Sequence, residues 1–195
     1  MIAYLSGRIL FKNPTSLVID VNGVGYEVHI SLNTFGKLGD SEAVRLHTYL
    51  SVREDAQVLY GFADSHEKEL FLLLIGVQGI GPNTARTILS YSTPDELQRA
   101  IASGSEAEIR RIKGVGPKTA QRLIVELRDK VARLAGLPAG SAASPGNNIR
   151  EEALMALVTL GFPKPQMEKI LNQLMQDGAQ AYTVEELIKK ALRSV

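Results

Sequence analysis

Apolar residues alternate with polar ones through residues 1–64 and recur every three or four positions after that. SLVIDV (16–21) and VGYEVHI (24–30) are period-two runs on either side of Asn22-Gly23. Both turn residues tolerate positive φ, so the dipeptide predicts a type I′ hairpin. By the same period Val24, Tyr26, Val28 and Ile30 share one face. AYLSGRILF (3–11), AVRLHTYL (43–50) and QVLYGF (57–62) supply three further strands. Short strands at this density predict a small closed barrel, which leaves no sheet edge open. Gly23-Val24-Gly25 looks like a nucleotide-binding loop, but it sits inside a hairpin with no helix after it.

From Ser65 the period becomes helical. In HEKELFLLLIGV, Leu70, Leu73, Leu74 and Val77 fall on one face. Ser92-Thr93-Pro94 opens another helix, with a hydroxyl cap, proline near the first turn, and Asp95 and Glu96 at its positive end. A short helix over 106–113 and a longer one over 117–134 follow. GLPAGSAASPGNN (136–148) has one leucine and no charge. It reads as a flexible linker, spanning roughly 20 Å as a Gly/Ser-type coil. Beyond it, 149–160, 164–176 and 183–193 have helical patterns, broken by Gly161-Phe162-Pro163 and by Asp177-Gly178. The expected class is therefore α+β and multidomain: a barrel over 1–64, a helical domain over 65–135, the linker, and a three-helix bundle over 149–195.

Charge divides along the same boundaries. Residues 1–64 carry five Lys/Arg and seven Asp/Glu; residues 65–135 carry eleven and eight; residues 136–195 carry six of each. The positive excess is densest from Ile109 to Arg122, where Arg110, Arg111, Lys113, Lys118 and Arg122 meet no acid. That run suits an anionic partner. The absence of cysteine excludes disulfides and thiolate metal sites. His29, His47 and His66 are scattered without metal-ligand spacing. No apolar run approaches the length of a bilayer span and no leader pattern precedes the first strand, so the expectation is a soluble, cytoplasmic protein.

The most informative feature is a repeat. Residues 79–89 read GIGPNTARTIL and residues 114–124 read GVGPKTAQRLI. Each copy has an apolar helix, Gly-aliphatic-Gly, and a helix with Ala in its first, exposed turn and aliphatics beyond. The glycines allow a tight reversal and leave backbone N–H groups uncovered, and the middle aliphatic anchors the turn inward. Pro82 and Pro117 suit the first helical position. The helix start then offers unpaired N–H donors and a positive dipole end, a place for a phosphate oxygen. This is the spacing of the helix-hairpin-helix motif, a DNA backbone clamp. Two copies can hold phosphates on both sides of one minor groove, an oriented grip on a duplex. The residues expected at the DNA are Gly79, Gly81 and Arg86 in the first copy, and Gly114, Gly116, Lys118, Thr119 and Arg122 in the second. Asn83 stands where Lys118 stands. The turn is not a Walker A loop, because Pro117 precedes Lys118 where that loop needs glycine. An ATP-driven process would need its motor on another chain.

The barrel with NGVGYEV, the segment VREDAQVLYGF (52–62), the paired hairpins, the linker and the C-terminal bundle together resemble the RuvA family over essentially the whole chain. That family is the DNA-binding subunit of the bacterial Holliday junction branch migration complex. The resemblance implies an oligonucleotide/oligosaccharide-binding barrel and a fourfold homotetramer, one or two to a junction. It implies a square-planar four-way junction on one face, the hexameric ATPase RuvB and the resolvase RuvC as partners, and no catalysis, cofactor or metal. It matches Glu54 and Asp55 to the family's acidic central pin, repelling phosphates at the junction centre. It places Leu157, Leu160 and Phe162 on a motor-binding surface of the C-terminal bundle. The family usually has lysine where this chain has Asn83.

Two other readings are open to the residues alone. A helix-hairpin-helix glycosylase or nuclease would need a catalytic Asp or Lys downstream, or carboxylates converging on a metal; downstream of the repeat lies the uncharged linker. A single-strand binder would stack bases on aromatics in a basic groove, whereas the barrel segment is net acidic and poor in aromatics.

Overall fold

Asn22 and Gly23 take φ of 52° and 88°, and Asp20 Oδ1 accepts the Gly23 N–H at 2.7 Å. The turn in this computed structural model thus forms as its dipeptide predicts. It joins β2 (Ser16–Val21) to β3 (Val24–Ile30). β1 (Tyr4–Asn13) pairs with β2 on one side and with β4 (Ala43–Val52) on the other. β5 (Gln57–Phe62) runs antiparallel to β4 and parallel to β3, closing a barrel in the order β1-β2-β3-β5-β4. β1 serves two neighbours by shifting register between Ile9 and Phe11 and by passing close to β2 at Gly7, where a Cβ would overlap the Asp20 carbonyl. Of the predicted β3 face, Val28 and Ile30 are buried, Tyr26 is half-buried and Val24 is exposed at the hairpin tip. A short helix that the alternation does not predict, α1 (Leu32–Leu38), follows β3 directly. Ser31 caps it, its Oγ accepting the Thr34 N–H at 3.0 Å.

Asp64 caps α2 (Ser65–Ile75) by accepting the Glu67 N–H at 2.8 Å. Leu70, Leu74 and Val77 are buried as the period predicts; Leu73 is only partly so, and Phe71 is buried beside them. α3 (Pro82–Tyr91), α4 (Pro94–Ser103) and α6 (Pro117–Leu134) start at their prolines. Thr93 and Glu96 form a capping box for α4. α5 spans only Glu106–Ile109, short of the expected 106–113, and the chain leaves it through turns that bond Arg111 N–H to Glu108 O and Ile112 N–H to Ile109 O. Tyr60 and Phe62 of β5 share one core with these helices, so barrel and helices lie in one compact unit, Met1–Ala139.

The structure describes residues 1–134, 145–177 and 182–194. Most of the expected linker, 136–144, lies outside them. Its last four residues are instead the start of α7 (Pro145–Thr159), where proline again suits the first helical turn. α8 (Lys164–Asp177) and α9 (Val184–Arg193) complete a second unit, Gly140–Val195, around Leu154, Leu157, Met167, Leu171 and Leu187. α7 ends where Gly161 turns to φ 96°. Gly161 N–H bonds Val158 O at 3.0 Å and Phe162 N–H bonds Leu157 O at 3.2 Å, the Schellman arrangement. Among the described residues no helix is long and apolar enough to cross a membrane.

Glu67 on α2 is fully buried. Ser31 Oγ donates to one carboxylate oxygen, and Thr34 Oγ1 donates to the other at 2.7 Å, tying α1 to α2. Burial, opposed by these two bonds, raises its pKa above the usual 4.5. A raised folded pKa means the folded state binds the proton more tightly than the unfolded state. The stability this contributes is fully present below 4.5 and is lost as pH rises through the folded pKa. Glu67→Gln is therefore expected to flatten this part of the stability profile, measured by urea unfolding across about pH 4–8. Glu67→Ala strands both hydroxyls and is expected to cost about 1–3 kcal/mol. A Glu67→Gln profile parallel to that of the parent would remove Glu67 as the titrating group.

Candidate nucleic-acid interface

The two hairpins have the same backbone. Val77 N–H bonds Leu74 O at 3.0 Å, and Ile112 N–H bonds Ile109 O at 3.2 Å. Ile80 reaches Val77 O at 3.0 Å, and Val115 reaches Ile112 O at 3.1 Å. Ala85 to Gly81 O and Ala120 to Gly116 O are both 2.9 Å. Ile80 and Val115 are buried and fix each turn to the helical core. Ala85 and Ala120 are buried too, not exposed as expected: a methyl is the side chain with which the helix start meets that core.

The glycines fall into two classes. Gly79 and Gly114 have φ of 96° and 91°, so the turn itself calls for glycine there. Gly81 is extended, at φ −87° and ψ 171°, a conformation open to any residue, and Gly116 is not among the positive-φ glycines. A Cβ at either would meet nothing within 4 Å. Packing therefore gives no reason for glycine at 81 and 116; their effect is to leave the start of α3 and of α6 uncovered. Gly81 caps α3 without any side-chain bond. Pro82 and Pro117 lack N–H groups, so the first-turn donors of these helices are the amides of residues 83–84 and 118–119, which helix geometry leaves without intrahelical partners. Together with the positive end of the dipole, such donors suit an anion.

The expected side chains separate into outward and inward groups. Lys118 is exposed and Thr119 half-buried beside it. Arg110, Arg111 and Lys113 are also exposed ahead of the second hairpin. Arg122 Nη1 donates to the Gln78 carbonyl at 3.2 Å and to Gln78 Oε1 at 2.8 Å, and its Nε lies 3.9 Å from Glu126. Gln78 directly precedes Gly79, so Arg122 ties the second hairpin's helix to the first hairpin's turn. Arg86 turns towards the barrel, donating to the Thr15 carbonyl at 2.9 Å and lying 3.3 Å from His29 Nδ1. Burial first, and then the Arg86 charge, lowers the His29 pKa. The Asn83 carboxamide oxygen accepts the Tyr60 hydroxyl at 3.0 Å. Neither Gln78 nor Tyr60 carries a sequence signal for these roles; each bond joins residues distant in the chain.

Glu54 and Asp55 are exposed on the turn between β4 and β5, which Arg53 N–H to Ala56 O closes at 2.8 Å. Among the described residues no group of three or more His, Cys, Asp and Glu is placed to hold a metal ion. In the C-terminal unit the three expected contact residues separate. Leu160 is 62% exposed, Phe162 is half-buried against the bundle core, and Leu157 is fully buried. Leu157, in the last turn of α7, packs in the bundle core with residues of α8 and α9. Met155 and Val158, not expected there, are exposed on α7 instead.

Comparison with known proteins covers the whole of this arrangement. The RuvA N terminal domain model matches residues 1–61, a SAM-like helix-hairpin-helix tandem model matches 71–129, and the RuvA C-terminal domain model matches 148–195. The Holliday junction branch migration complex subunit RuvA of Cytophaga hutchinsonii is 48% identical over 198 residues, covering 99% of each chain. The proteins of the same name from Flavobacterium psychrophilum and Christiangramia forsetii are 47% and 46% identical over 195 residues and cover both chains completely. With identity at this level from end to end, and the family's own terminal domains flanking the doubled hairpin, the chain belongs to the RuvA family.

Proposed function

We propose that this protein binds four-way (Holliday) junction DNA and serves as the scaffold on which a RuvB-type hexameric ATPase is positioned for branch migration in recombination and repair. The observation that carries this reading is the bareness of Gly81 and Gly116. Two helix starts are left open where the fold does not require it, and Arg122 ties them together. The relatives named as branch migration complex subunits support it. In this reading the protein has no catalytic residue, metal or cofactor of its own; it acts in the cytoplasm. Gly79, Gly81, Gly114, Gly116, Lys118 and Thr119 contact phosphates, while Arg122 and Arg86 brace the hairpins. Four copies assemble around a fourfold axis, with exposed barrel residues such as Leu10 and Phe11 covered between copies. Glu54 and Asp55 then meet at the centre of the junction. A RuvC-type resolvase follows on the same DNA, and the C-terminal unit docks the motor.

Gly116→Val is expected to leave stability within about 0.5 kcal/mol of the parent and to abolish tight junction binding, because its side chain would cover the helix start. Lys118→Ala is expected to lower the slope of log affinity against log salt by about 0.9, one phosphate contact. Fluorescence anisotropy on a labelled four-way junction, without nucleotide or metal, measures both. Unchanged affinity in both variants would remove the second hairpin from the DNA.

Replacing Glu54 and Asp55 by Gln and Asn removes like charges that would face phosphates. Binding to plain duplex should then rise more than binding to the junction. If both fall together in a competition gel shift, the pair is not a repulsive pin.

Leu160→Asp should reduce stimulation of the motor's ATPase on junction DNA while junction binding stays at the parental level. Leu157→Ala should instead cost about 2–5 kcal/mol in C-terminal unit stability. Full ATPase stimulation by the Leu160 variant would move motor docking elsewhere.

A further inference from the structure

The two hairpins are alike in backbone and unlike in the side chain that follows the proline. At the position where the second has an exposed lysine, the first has Asn83, the second residue of α3. A carboxamide there would ordinarily rotate freely, presenting its oxygen as readily as its nitrogen, and an oxygen turned towards a phosphate repels it.

Tyr60 removes that freedom. Its hydroxyl donates to Asn83 Oδ1 at 3.0 Å. Its ring is almost fully buried, 5.9 Å from the His29 ring and 5.4 Å from that of Phe71. The hydroxyl is therefore delivered from a fixed point on β5. Burial also raises the Tyr60 pKa, keeping the group a donor through the neutral range. With Oδ1 held on the Tyr60 hydroxyl, the amide nitrogen and its two N–H bonds lie on the other edge of the planar carboxamide, pointing away from the barrel residue that holds the oxygen.

We propose that Tyr60 is a positioning residue of the first hairpin: it orients Asn83 so that the amide group serves as an uncharged donor to a backbone phosphate in place of a lysine. This deepens the junction-binding reading and rests on it. The first hairpin then grips by oriented neutral hydrogen bonds, and the second adds charge. Counterion release belongs to charged contacts, so the first grip holds its strength as salt rises and the second weakens.

The test uses the full chain and a labelled four-way junction over a salt series, with Tyr60→Phe, Asn83→Ala, the double variant, Asn83→Lys and Lys118→Ala. Tyr60→Phe and Asn83→Ala are each expected to weaken binding about 3–10-fold, with the salt slope unchanged. The double variant should bind no worse than the weaker single variant, because Tyr60 acts through Asn83. Asn83→Lys should steepen the slope by about one phosphate contact and make binding indifferent to Tyr60→Phe. Three outcomes overturn the role of Tyr60: full affinity in Tyr60→Phe, additive losses in the double variant, or a changed salt slope in Tyr60→Phe. Loss in Lys118→Ala alongside full affinity in Tyr60→Phe overturns this inference alone. A parent protein that does not distinguish the junction from duplex overturns the junction reading and this inference with it.

Discussion

The ring of Phe71 lies 5.4 Å from those of Tyr49 and Tyr60 and 4.9 Å from that of Phe62, centre to centre. One residue of α2 thereby packs against both β4 and β5. A five-stranded barrel of this size has a thin core of its own, and the helices after it would otherwise pack only on each other. Tilted aromatic contacts, each contributing beyond simple burial, join the two layers into one core. Much of the site's geometry depends on that junction. The buried Glu67, one turn before Phe71, fastens α1. Tyr60 carries the aromatic cluster's position out to Asn83, and Arg86 reaches back across the same seam to the barrel.

What the sequence made legible follows from how local each signal is. The Asn22-Gly23 hairpin, the Thr93 cap and the two Gly-x-Gly-Pro turns are decided by backbone conformation over four or five residues, and they stand where the pattern places them. The barrel as a whole was legible from strand number and spacing. α1 was not, because seven residues give too few turns for a period to emerge, and its anchor is a carboxylate 33 residues away in the chain. The early end of α5 and the inward Ala85 and Ala120 depend on how neighbouring helices pack. Side-chain partnership was the least legible: Arg86 and Arg122 look alike as cations beside hairpins, yet one faces the barrel and the other spans two turns. Leu157 and Leu160 are both leucines near the end of α7, and only the Schellman turn at Gly161 separates core from surface.

The doubled hairpin is thus symmetric in one layer and asymmetric in the next. Its main-chain bonds agree to within about 0.2 Å, well inside the scatter of ordinary hydrogen bonds. Its side chains do not agree. The first copy is surrounded by the barrel, with Tyr60, His29 and Thr15 all engaged; the second has exposed Arg110, Arg111, Lys113 and Lys118. Proximity to the barrel accounts for the difference on the first side, where Asn83 and Arg86 bond to Tyr60 and Thr15.

The bare start of each hairpin helix has a consequence for how such a surface drifts over generations. An amide of the main chain is present whatever residue bears it, so substitution cannot delete the donor; it can only obstruct it or bend it away. The positions vulnerable to drift are therefore few: the glycines that clear the approach, the prolines that set its start, and the aliphatics that seat the turn. Around them the two copies differ residue by residue, Arg86 standing against Gln121 and Thr87 against Arg122, each arginine held by partners the other copy lacks. A grip built on main-chain amides would have little heritable detail to lose, because an N–H group is the same on every residue and suits a phosphate, which every nucleotide carries alike.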